Sequence, residues 1–558
     1  MRKLVLFLTA ALLSTAGQLF AQEELPQWAN DLMAQNPKLI DSIYYFEPDA
    51  AGPSTRTYVV YYHQPMKHAQ PDGEQFPLRA FITVFKDTDP TKAVNHIYAS
   101  GYNLDDEDRP DSAFVADKNA CSAEIAWRYH ANYIQLEHRY FQFSAPAECW
   151  TRLDDLRAEE AAADFHNLFD ALKKVLKGKC VMSGVSKGGI TTLLQHKFYP
   201  NDMDIYVPYA APFFDSDRDL EMQKYWYSTG WSQEFRDMFM AVRKQGIYNQ
   251  KTILPIYVKM NGSAETDGRA DTLLCQYMLA VASFGINEHS YSDTATIRKQ
   301  ISQNATILHS KGIQDYCDTV YAYMLDKGKL SLADFPKWID TLRKYPDSKQ
   351  VPVRYRRRTA TRPFGITYSQ WVESDSVQGE AYEYQSKCEL GFYDYRFDLI
   401  IEDPADAKQY NDYWVQHAGC MRDFTNPYYR NLTFNPTLYN ETMAATQSAT
   451  KPIVLIYGLD DDWTGAAVKD RYINGTTVHK FILPAQNHLV RFSSNTDKAQ
   501  CDAIRSILDG VLSSPQGFEN ETSSSLQGGD KGRLVFRDGQ ILILRGDKAY
   551  TIMGQEIK

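Results

Sequence analysis

The chain has 558 residues, of which 44% are hydrophobic, so it can form one large core or two or three smaller domains. Its formal net charge of −10 argues against a nucleic-acid-binding protein, because binding to phosphates requires a basic surface. Aromatic residues make up 13% of the chain, which is compatible with a protein that handles sugars or peptides but establishes neither.

Residues 1–21 have the pattern of a secretory signal peptide. Arg2 and Lys3 give a positively charged start, residues 4–13 are apolar, and small residues lead to Ala21. The apolar stretch is shorter than the roughly 18–20 residues of a membrane-spanning helix, and no later run reaches that length. We therefore expect an exported protein, periplasmic or secreted to the cell surface or medium, with no membrane span.

The eight cysteines permit disulfides in an oxidising compartment, but a chain of this length does not need them to fold. Cys180 lies in a buried apolar run, where we expect a free thiol. The sequence contains no Cys-x-x-Cys pair and no His-Glu-x-x-His motif. We therefore predict no metal site and no cofactor.

Strand and helix patterns alternate over residues 22–212. From residue 57 the runs "TYVVYYHQ", "LRAFITVFK" and "AVNHIYASGYNL" are extended, and "NYIQLEHRYF" follows a short helical stretch. An amphipathic helix over 153–176 precedes the buried strand "KCVMSG", the helix "KGGITTLLQHKFY" and the strand "DIYVPYAAP". This alternation is typical of a parallel sheet covered by helices on both faces.

The alternation stops at residue 213. Residues 213–449 are rich in Tyr, Trp and charge and show mostly helical periodicity. Buried-strand patterns return with "PIVLIYG" and "HKFILP", and a helix ends the fold within residues 450–513. We interpret the chain as one α/β sheet in two parts, with a large, mainly helical lid inserted above its carboxyl edge.

The C-terminal residues differ in character from the rest. A polar linker over 514–530 leads to a β-rich tail, residues 531–558, whose short strand patterns are separated by Asp-Gly and Gly-Asp turns. A stretch of about 26 residues is too small to build a full core of its own.

A serine lies on a predicted strand-to-helix turn. Residues 184–188, Gly-Val-Ser-Lys-Gly, match the G-x-S-x-G nucleophile elbow, in which small residues flank a serine held in a strained conformation. A buried strand before the motif and a helix after it favour a nucleophilic role for Ser186 over a plain structural turn.

A serine hydroxyl needs an oriented base, and in this type of fold the chain order is Ser, Asp, His. His488 lies just beyond a late strand, whereas His479 begins that strand and is better interpreted as a strand-edge residue. The acid should follow the preceding strand, where Asp460, Asp461 and Asp462 are all candidates. Spacing alone does not choose among them.

Acyl transfer also needs two N–H groups that stabilise the oxyanion. The Lys187 amide is one by position. The second should come from a loop after an early strand, where "ASGYNL" offers Tyr102; an ordinary turn is the alternative.

Several stretches resemble, in the same order, the secreted prolyl tri/tetrapeptidyl aminopeptidases, a family of serine peptidases related to prolyl carboxypeptidase and dipeptidyl peptidase II. The similar stretches span about residues 80 to 510 and are "EHRYFQFSAP", the Trp150, Leu153, Asp164 and His166 positions, the "SGVSKGG" block, "YEYQSKCELGFYDY", "YGLDDDW" and "QNHLVRF".

This resemblance implies an α/β-hydrolase fold and an enzyme that releases short, proline-ended peptides from free N-termini. The family's Asp-Pro-Trp pattern, aligned on Trp463, selects Asp461 as the acid and leaves Asp462 at the proline position. A peptide is then the expected partner.

The resemblance also implies substrate-binding roles for Glu137, Tyr384 and Gln385. An aminopeptidase of this type needs lid carboxylates to bind the N-terminal ammonium group. The insertion has no Glu-Glu pair, only the scattered candidates Glu265, Glu288, Glu383 and Glu389.

The tail resembles C-terminal sorting segments, ending near Gly-Gln-Glu, of proteins exported by Bacteroidetes-type bacteria, which implies contact with a secretion machinery. The alternative is a terminal hairpin packed on the catalytic domain. Two other functions stay open for the whole chain, an esterase or acylhydrolase on the same fold and a non-catalytic binding protein, since a fold does not determine function.

Overall fold

The computed structural model describes residues 24–46, 54–104, 118–146, 152–229, 233, 381–382, 384–417 and 432–513, and four strands between 533 and 557. The chain divides into two compact units, residues 1–512 and 513–558. The signal peptide and most of the predicted lid, with its candidates Glu265, Glu288 and Glu383, lie outside the described residues.

The larger unit contains nine strands and eight α-helices within its described residues. The strands are β1 Ile40–Phe46, β2 Thr55–Pro65, β3 Gln75–Phe85, β4 Asn95–Ala99, β5 Asn132–Leu136, β6 Cys180–Val185, β7 Ile205–Tyr209, β8 Ile453–Gly458 and β9 Val478–Leu483. The helices are α1 Gln27–Gln35, α2 Glu124–Tyr129, α3 Ala158–Leu172, α4 Lys187–Phe198, α5 Glu221–Ser228, α6 Pro404–His417, α7 Thr437–Gln447 and α8 Lys498–Leu512.

The nine strands form one sheet in the order β1-β2-β3-β5-β4-β6-β7-β8-β9. The first three neighbouring pairs are antiparallel and the other five are parallel. Helices connect the parallel strands, as crossover connections require. The fold is the predicted α/β-hydrolase fold.

Both faces of the central strands are buried, which explains why these strands are continuous apolar runs in the sequence. Along β6, Cys180 and Met182 belong to one core, while Val181 and Val185 belong to the core on the opposite face. Cys180 is buried and free, as predicted. The central strands therefore hold the loops at their carboxyl ends on a rigid base.

The predicted insertion enters between β7 and β8, which are neighbouring parallel strands. Its described parts include α5, a π-helical turn over Ser386–Leu390, α6 and α7. Tyr439 and Met443 of α7 lie in the same core as Ile190 of α4. Helix α7, which the sequence boundaries placed in the insertion, thus packs within the main body.

The smaller unit contains strands β10 Arg533–Arg537, β11 Gln540–Arg545, β12 Lys548–Thr551 and β13 Glu556–Ile557. They form a four-stranded antiparallel sheet in chain order. In the sequence, the Asp-Gly and Gly-Asp pairs lie between its first three strands. Among all described residues, no helix is long and apolar enough to cross a membrane.

Candidate active site

Ser186 lies at the turn between β6 and α4. Its φ is +59° and its ψ is −122°, a conformation that L-residues rarely adopt and that is typical of a nucleophile elbow. The Ser186 N–H donates to the carbonyl oxygen of Tyr209 at 3.0 Å, and its carbonyl accepts from Ile190 N–H at 3.0 Å. The residue is only partly buried. Backbone hydrogen bonds thus fix the turn, while Ser186 stays partly exposed to solvent.

The glycines of this turn are required by close backbone contacts. A Cβ on Gly184 would lie 2.3 Å from the Gly188 carbonyl oxygen, and one on Gly188 would lie 2.1 Å from the Ala99 carbonyl oxygen. No side chain fits such distances. The small residues in the motif therefore allow β4, β6 and α4 to approach each other at the serine.

His488 and Asp461 form a buried pair at the same edge of the sheet. Asp461 follows β8 and His488 follows β9, so both lie at carboxyl ends of parallel strands, as Ser186 does. His488 Nδ1 lies 3.0 Å from Asp461 Oδ2, and each residue is 1% exposed. If Nδ1 carries the proton, Nε2 is the basic nitrogen of the ring.

The aspartate is itself oriented by the following turn. Asp461 Oδ1 accepts from the Trp463 N–H at 3.2 Å and caps the 3-10 turn Asp462–Ala466. Asp460 is only partly buried, and Asp462 is the first residue of that turn. Of the three aspartates that spacing left open, the described contact with His488 involves Asp461, so the geometry favours Asp461.

The loop after β4 lies directly against the N-terminus of α4. Gly101 has a φ of +81°, and a Cβ there would lie 2.5 Å from the backbone nitrogen of Gly188. The two predicted oxyanion donors, the amides of Lys187 and Tyr102, therefore come from adjacent segments. The Tyr102 N–H donates to Ser100 Oγ at 3.2 Å, a long bond that a stronger acceptor can replace.

The side chain of Lys187 is buried under this loop. Its Nζ donates to the Gly101 carbonyl and lies 5.3 Å from the ring centroid of Tyr102 and 5.0 Å from that of Phe141. Burial lowers the pKa of the ammonium to about 7, while Glu389 opposes this shift. The sequence prediction concerned only the backbone N–H of Lys187. The signal for a buried ammonium was the position of this lysine, directly after a fully buried strand and the serine turn.

Glu137 is fully buried and its carboxylate is occupied. One oxygen accepts from Arg79 Nη2 at 2.7 Å and from the Leu104 N–H at 3.1 Å, and the other accepts from the Ser144 hydroxyl at 2.8 Å. Both oxygens of Glu137 thus accept hydrogen bonds from within the protein. Through the Leu104 N–H, the residue also holds the loop that carries Tyr102.

Tyr384 and Gln385 are also buried. The Tyr384 hydroxyl donates to Asp154 Oδ1 at 2.7 Å. The amide oxygen of Gln385 has no hydrogen-bond partner among the described residues, and this side chain lines a small cavity beside Lys187 and His138. Both side chains lie beneath the surface rather than on it.

A row of aromatic rings extends from Tyr102, in the loop after β4, to His488. Ring centroids are 5.4 Å apart for Tyr102 and Tyr382, 5.9 Å for Tyr382 and Phe392, 6.4 Å for Phe392 and Trp463, and 5.9 Å for Trp463 and His488. The first three residues are partly exposed. Sequence reasoning missed this aromatic row, although the aromatic-rich segment 382–395 carried its signal.

Other residues of the resemblance serve the fold. Arg139 binds Asp164 through two hydrogen bonds of 2.6 and 2.7 Å, and both side chains are fully buried. His68 Nε2 lies 2.8 Å from Asp164 Oδ1, and His166 Nδ1 lies 2.8 Å from Asp202 Oδ1. Arg139 joins α3 to the segment after β5, and the contacts of His68 and Asp202 join α3 to the segments after β2 and α4.

Glu124 connects the loop after His488, residues 489–493, to the turn that carries Ser186. It accepts from the Tyr209 hydroxyl at 2.9 Å and from the N–H groups of Phe492 and Ser493 at 3.3 and 2.9 Å. The carbonyl of the same Tyr209 holds the Ser186 N–H. Burial raises the pKa of Glu124 to about 7, although the hydrogen bonds from Ser493, Tyr209 and Phe492 oppose this shift.

We expect Glu124→Gln to lower kcat/KM roughly tenfold, because an amide NH₂ in place of Oε2 cannot accept the hydrogen bond that the Ser493 N–H now donates. The folded-state pKa lies above the unfolded value, so this group destabilises the fold as pH rises from about 4.5 to 7. The variant should lose that slope in the free energy of unfolding. Asp509→Asn is the control and should keep kcat/KM, because Asp509 lies in α8 and pairs there with the partly exposed Arg128 of α2.

Residues 49–306 match the family model of the PS-10 peptidase S37 family. A curated relative, the prolyl tri/tetrapeptidyl aminopeptidase of Streptomyces mobaraensis, is 30% identical over 249 residues, covering 43% of this chain and 48% of the relative. Over this stretch, both matches support the family that the sequence predicts. The chain thus spans about half the length of the curated relative that it matches. Ser186 falls inside the matched residues, whereas Asp461 and His488 lie beyond them.

Solved structures with a similar course of the chain include the peroxisomal α/β-hydrolase Lpx1 of Saccharomyces cerevisiae, with 8% identity, a TM-score of 0.35 and coverage of 85% of this chain and 94% of that one. The esterase LipA of Xanthomonas oryzae gives 9% identity, a TM-score of 0.32 and coverage of 85% and 99%. These similarities are too low to support an argument about the reaction, so, of these comparisons, the proposal below uses only the match to the S37 family model and the curated relative.

Proposed function

We propose that the protein is an exported serine peptidase that releases short, proline-ended peptides from free N-termini. One observation carries the proposal: the oriented His488–Asp461 pair, with Nδ1 and Oδ2 3.0 Å apart, lies at the sheet edge where the strained Ser186 turn also opens. A serine, a base and an acid in this chain order are the groups that acyl transfer needs.

In the proposed reaction, Ser186 Oγ attacks the scissile carbonyl while His488 Nε2 takes its proton, and Asp461 holds the imidazole in the required tautomer. The proton then passes to the leaving amine as the acyl-enzyme forms, and a water molecule hydrolyses that ester. The amides of Lys187 and Tyr102 donate to the oxyanion, which displaces Ser100 Oγ from Tyr102.

The aromatic row supports a preference for proline. Tyr102, Tyr382 and Phe392 are partly exposed rings between the oxyanion loop and His488. The pyrrolidine ring of proline is apolar and rigid, so it can pack against such rings at little cost in conformational entropy. The name of the Streptomyces mobaraensis relative, prolyl tri/tetrapeptidyl aminopeptidase, supports the same preference.

A digest of a synthetic peptide library, read by mass spectrometry, tests the proposal. Products cut after proline, three or four residues from a free N-terminus, are expected, and Ser186→Ala protein should give none. Turnover of esters without peptide release would replace the proposal with an acylhydrolase. A protein that neither cleaves peptides nor reacts with a fluorophosphonate at Ser186 would be a binding protein.

Export is part of the proposal and rests on the sequence alone. The mature chain should begin near Gln22, and N-terminal sequencing of the protein from the periplasm or medium checks this. If the tail serves sorting, a chain that ends at residue 513 should keep its activity but stay in the cell. A truncated chain that loses activity and melts at a lower temperature would contradict the sorting role.

A further inference from the structure

The Gly101–Tyr102 peptide connects the buried ammonium of Lys187 to the oxyanion site. In a trans peptide, the carbonyl oxygen and the N–H of the next residue point in opposite directions. Lys187 Nζ donates to the carbonyl oxygen of Gly101, and the N–H on the other side of the same peptide is that of Tyr102. The cation thus lies behind the amide that is expected to face the oxyanion.

The surroundings of Nζ preserve the effect of its charge. Lys187 is 2% exposed, and the rings of Tyr102 and Phe141 cover Nζ. Water is therefore largely excluded, and charge–dipole interactions are stronger there than in solution. Burial and the Lys187 charge itself hold the pKa of His138 well below its usual value, so this neighbour is neutral.

We propose that the Lys187 side chain is a positioning residue for the oxyanion hole: its ammonium fixes and polarises the Gly101–Tyr102 peptide, so that the Tyr102 N–H donates more strongly to the tetrahedral intermediate. The proposal deepens the proposed function and rests on its acyl-transfer step. Lys187 then acts twice, through its own backbone N–H and through the peptide that its side chain holds.

The pH dependence of this arrangement can be worked out from the groups around it. The titratable and charged groups that face Nζ or its nearest carboxylate are Glu389, His138, Tyr102, Arg157 and Glu159. Burial lowers the pKa of Lys187 and raises that of Glu389, each to about 7, and each charge favours the other. Activity should therefore fall as pH rises through the pKa of Lys187.

Stability should change in the opposite direction. The folded-state pKa of Lys187 lies below the unfolded value of 10.5, so the unfolded chain binds more protons between about pH 7 and 10.5. The contribution of this group to the free energy of unfolding therefore rises with pH in that window. If Lys187 only supported the fold, activity would not decrease in the pH range in which the contribution of Lys187 to the free energy of unfolding increases.

The first test compares Lys187→Met with wild type, measuring kcat, KM and melting temperature against pH. We expect kcat to fall about 10- to 100-fold with KM nearly unchanged, the alkaline limb of the kcat profile to disappear, and the melting temperature to hold or rise. Lys197→Met is the matched control on the same helix, because Lys197 Nζ pairs with Glu441 at 3.0 Å; kcat and the limb should be kept.

The second test is Glu389→Gln, which decides the matter if Lys187→Met does not fold. The amide oxygen can still accept from the Ala158 N–H, which Glu389 Oε1 now accepts at 2.8 Å. Without the carboxylate charge the pKa of Lys187 falls further, so the alkaline limb should move to lower pH. An unmoved limb in this variant, or an unchanged kcat in Lys187→Met, overturns the proposal.

Failure of the proposed function gives a different pattern. If Ser186-dependent turnover is seen with an activated ester but not with peptides, the peptidase proposal fails while the same profiles still test Lys187, since both reactions form an oxyanion. If no Ser186-dependent turnover is found with either substrate, no oxyanion forms and the Lys187 proposal is overturned together with the function.

Discussion

Ser186→Ala, His488→Ala and Asp461→Asn are each expected to lower kcat by about 10³-fold or more, and a double variant should lose little beyond the worse single one. In the proposed mechanism the three residues act in one proton transfer, so the loss of any member disables the others. In Asp461→Asn, the amide can donate to Nδ1, which favours the tautomer whose Nε2 carries the proton and cannot act as a base.

The neighbouring aspartates provide matched controls for this prediction. Asp460→Asn and Asp462→Asn should keep kcat within about fivefold, because the described contact with His488 comes from Asp461. Steady-state peptide turnover gives the rates, and the melting temperature of each variant separates a lost catalytic group from a damaged fold. Near-normal turnover in Asp461→Asn together with a large loss in either neighbour would move the acid role to that neighbour.

The sequence was sufficient for the elements whose signals are local. The elbow could be predicted because a buried strand, two glycines and a helix are consecutive, and the same glycines make the close approaches at Ala99 and Gly188. The alternation of strands and helices likewise predicted the parallel sheet. In such segments the local pattern and the tertiary structure favour the same conformation.

The contacts that position the site could not be predicted in this way, because they join residues far apart in the chain. Glu137 accepts a hydrogen bond from Arg79, and Glu124 accepts hydrogen bonds from the N–H groups of residues 492 and 493. A single sequence gives no information on such pairs, since each member is an ordinary polar residue in its own segment. For the same reason the sequence predicts a role for the backbone N–H of Lys187 and none for its ammonium group.

Glu389 is the one candidate for the N-terminal ammonium that lies within the described residues. Its side chain is partly buried, and it accepts from the Ala158 N–H at the start of α3. The partial positive charge of a helix N-terminus favours a carboxylate there, whereas burial raises the pKa of Glu389 to about 7. An arriving ammonium group would stabilise the ionised form and gain a charge-assisted hydrogen bond.

Acetylation of the substrate's N-terminus should therefore lower kcat/KM roughly 30- to 1000-fold. Loss of a charge-assisted hydrogen bond at a carboxylate shielded from water costs about 2–4 kcal/mol, and each 1.4 kcal/mol changes a rate constant about tenfold. The measurement compares a short proline-containing peptide with its N-acetylated twin, and a C-terminally amidated twin is the control that should be cleaved at the normal rate. Equal rates on free and acetylated peptides would mean that the enzyme does not recognise the amine, and the cleavage would then be that of an endopeptidase or a carboxypeptidase-like enzyme.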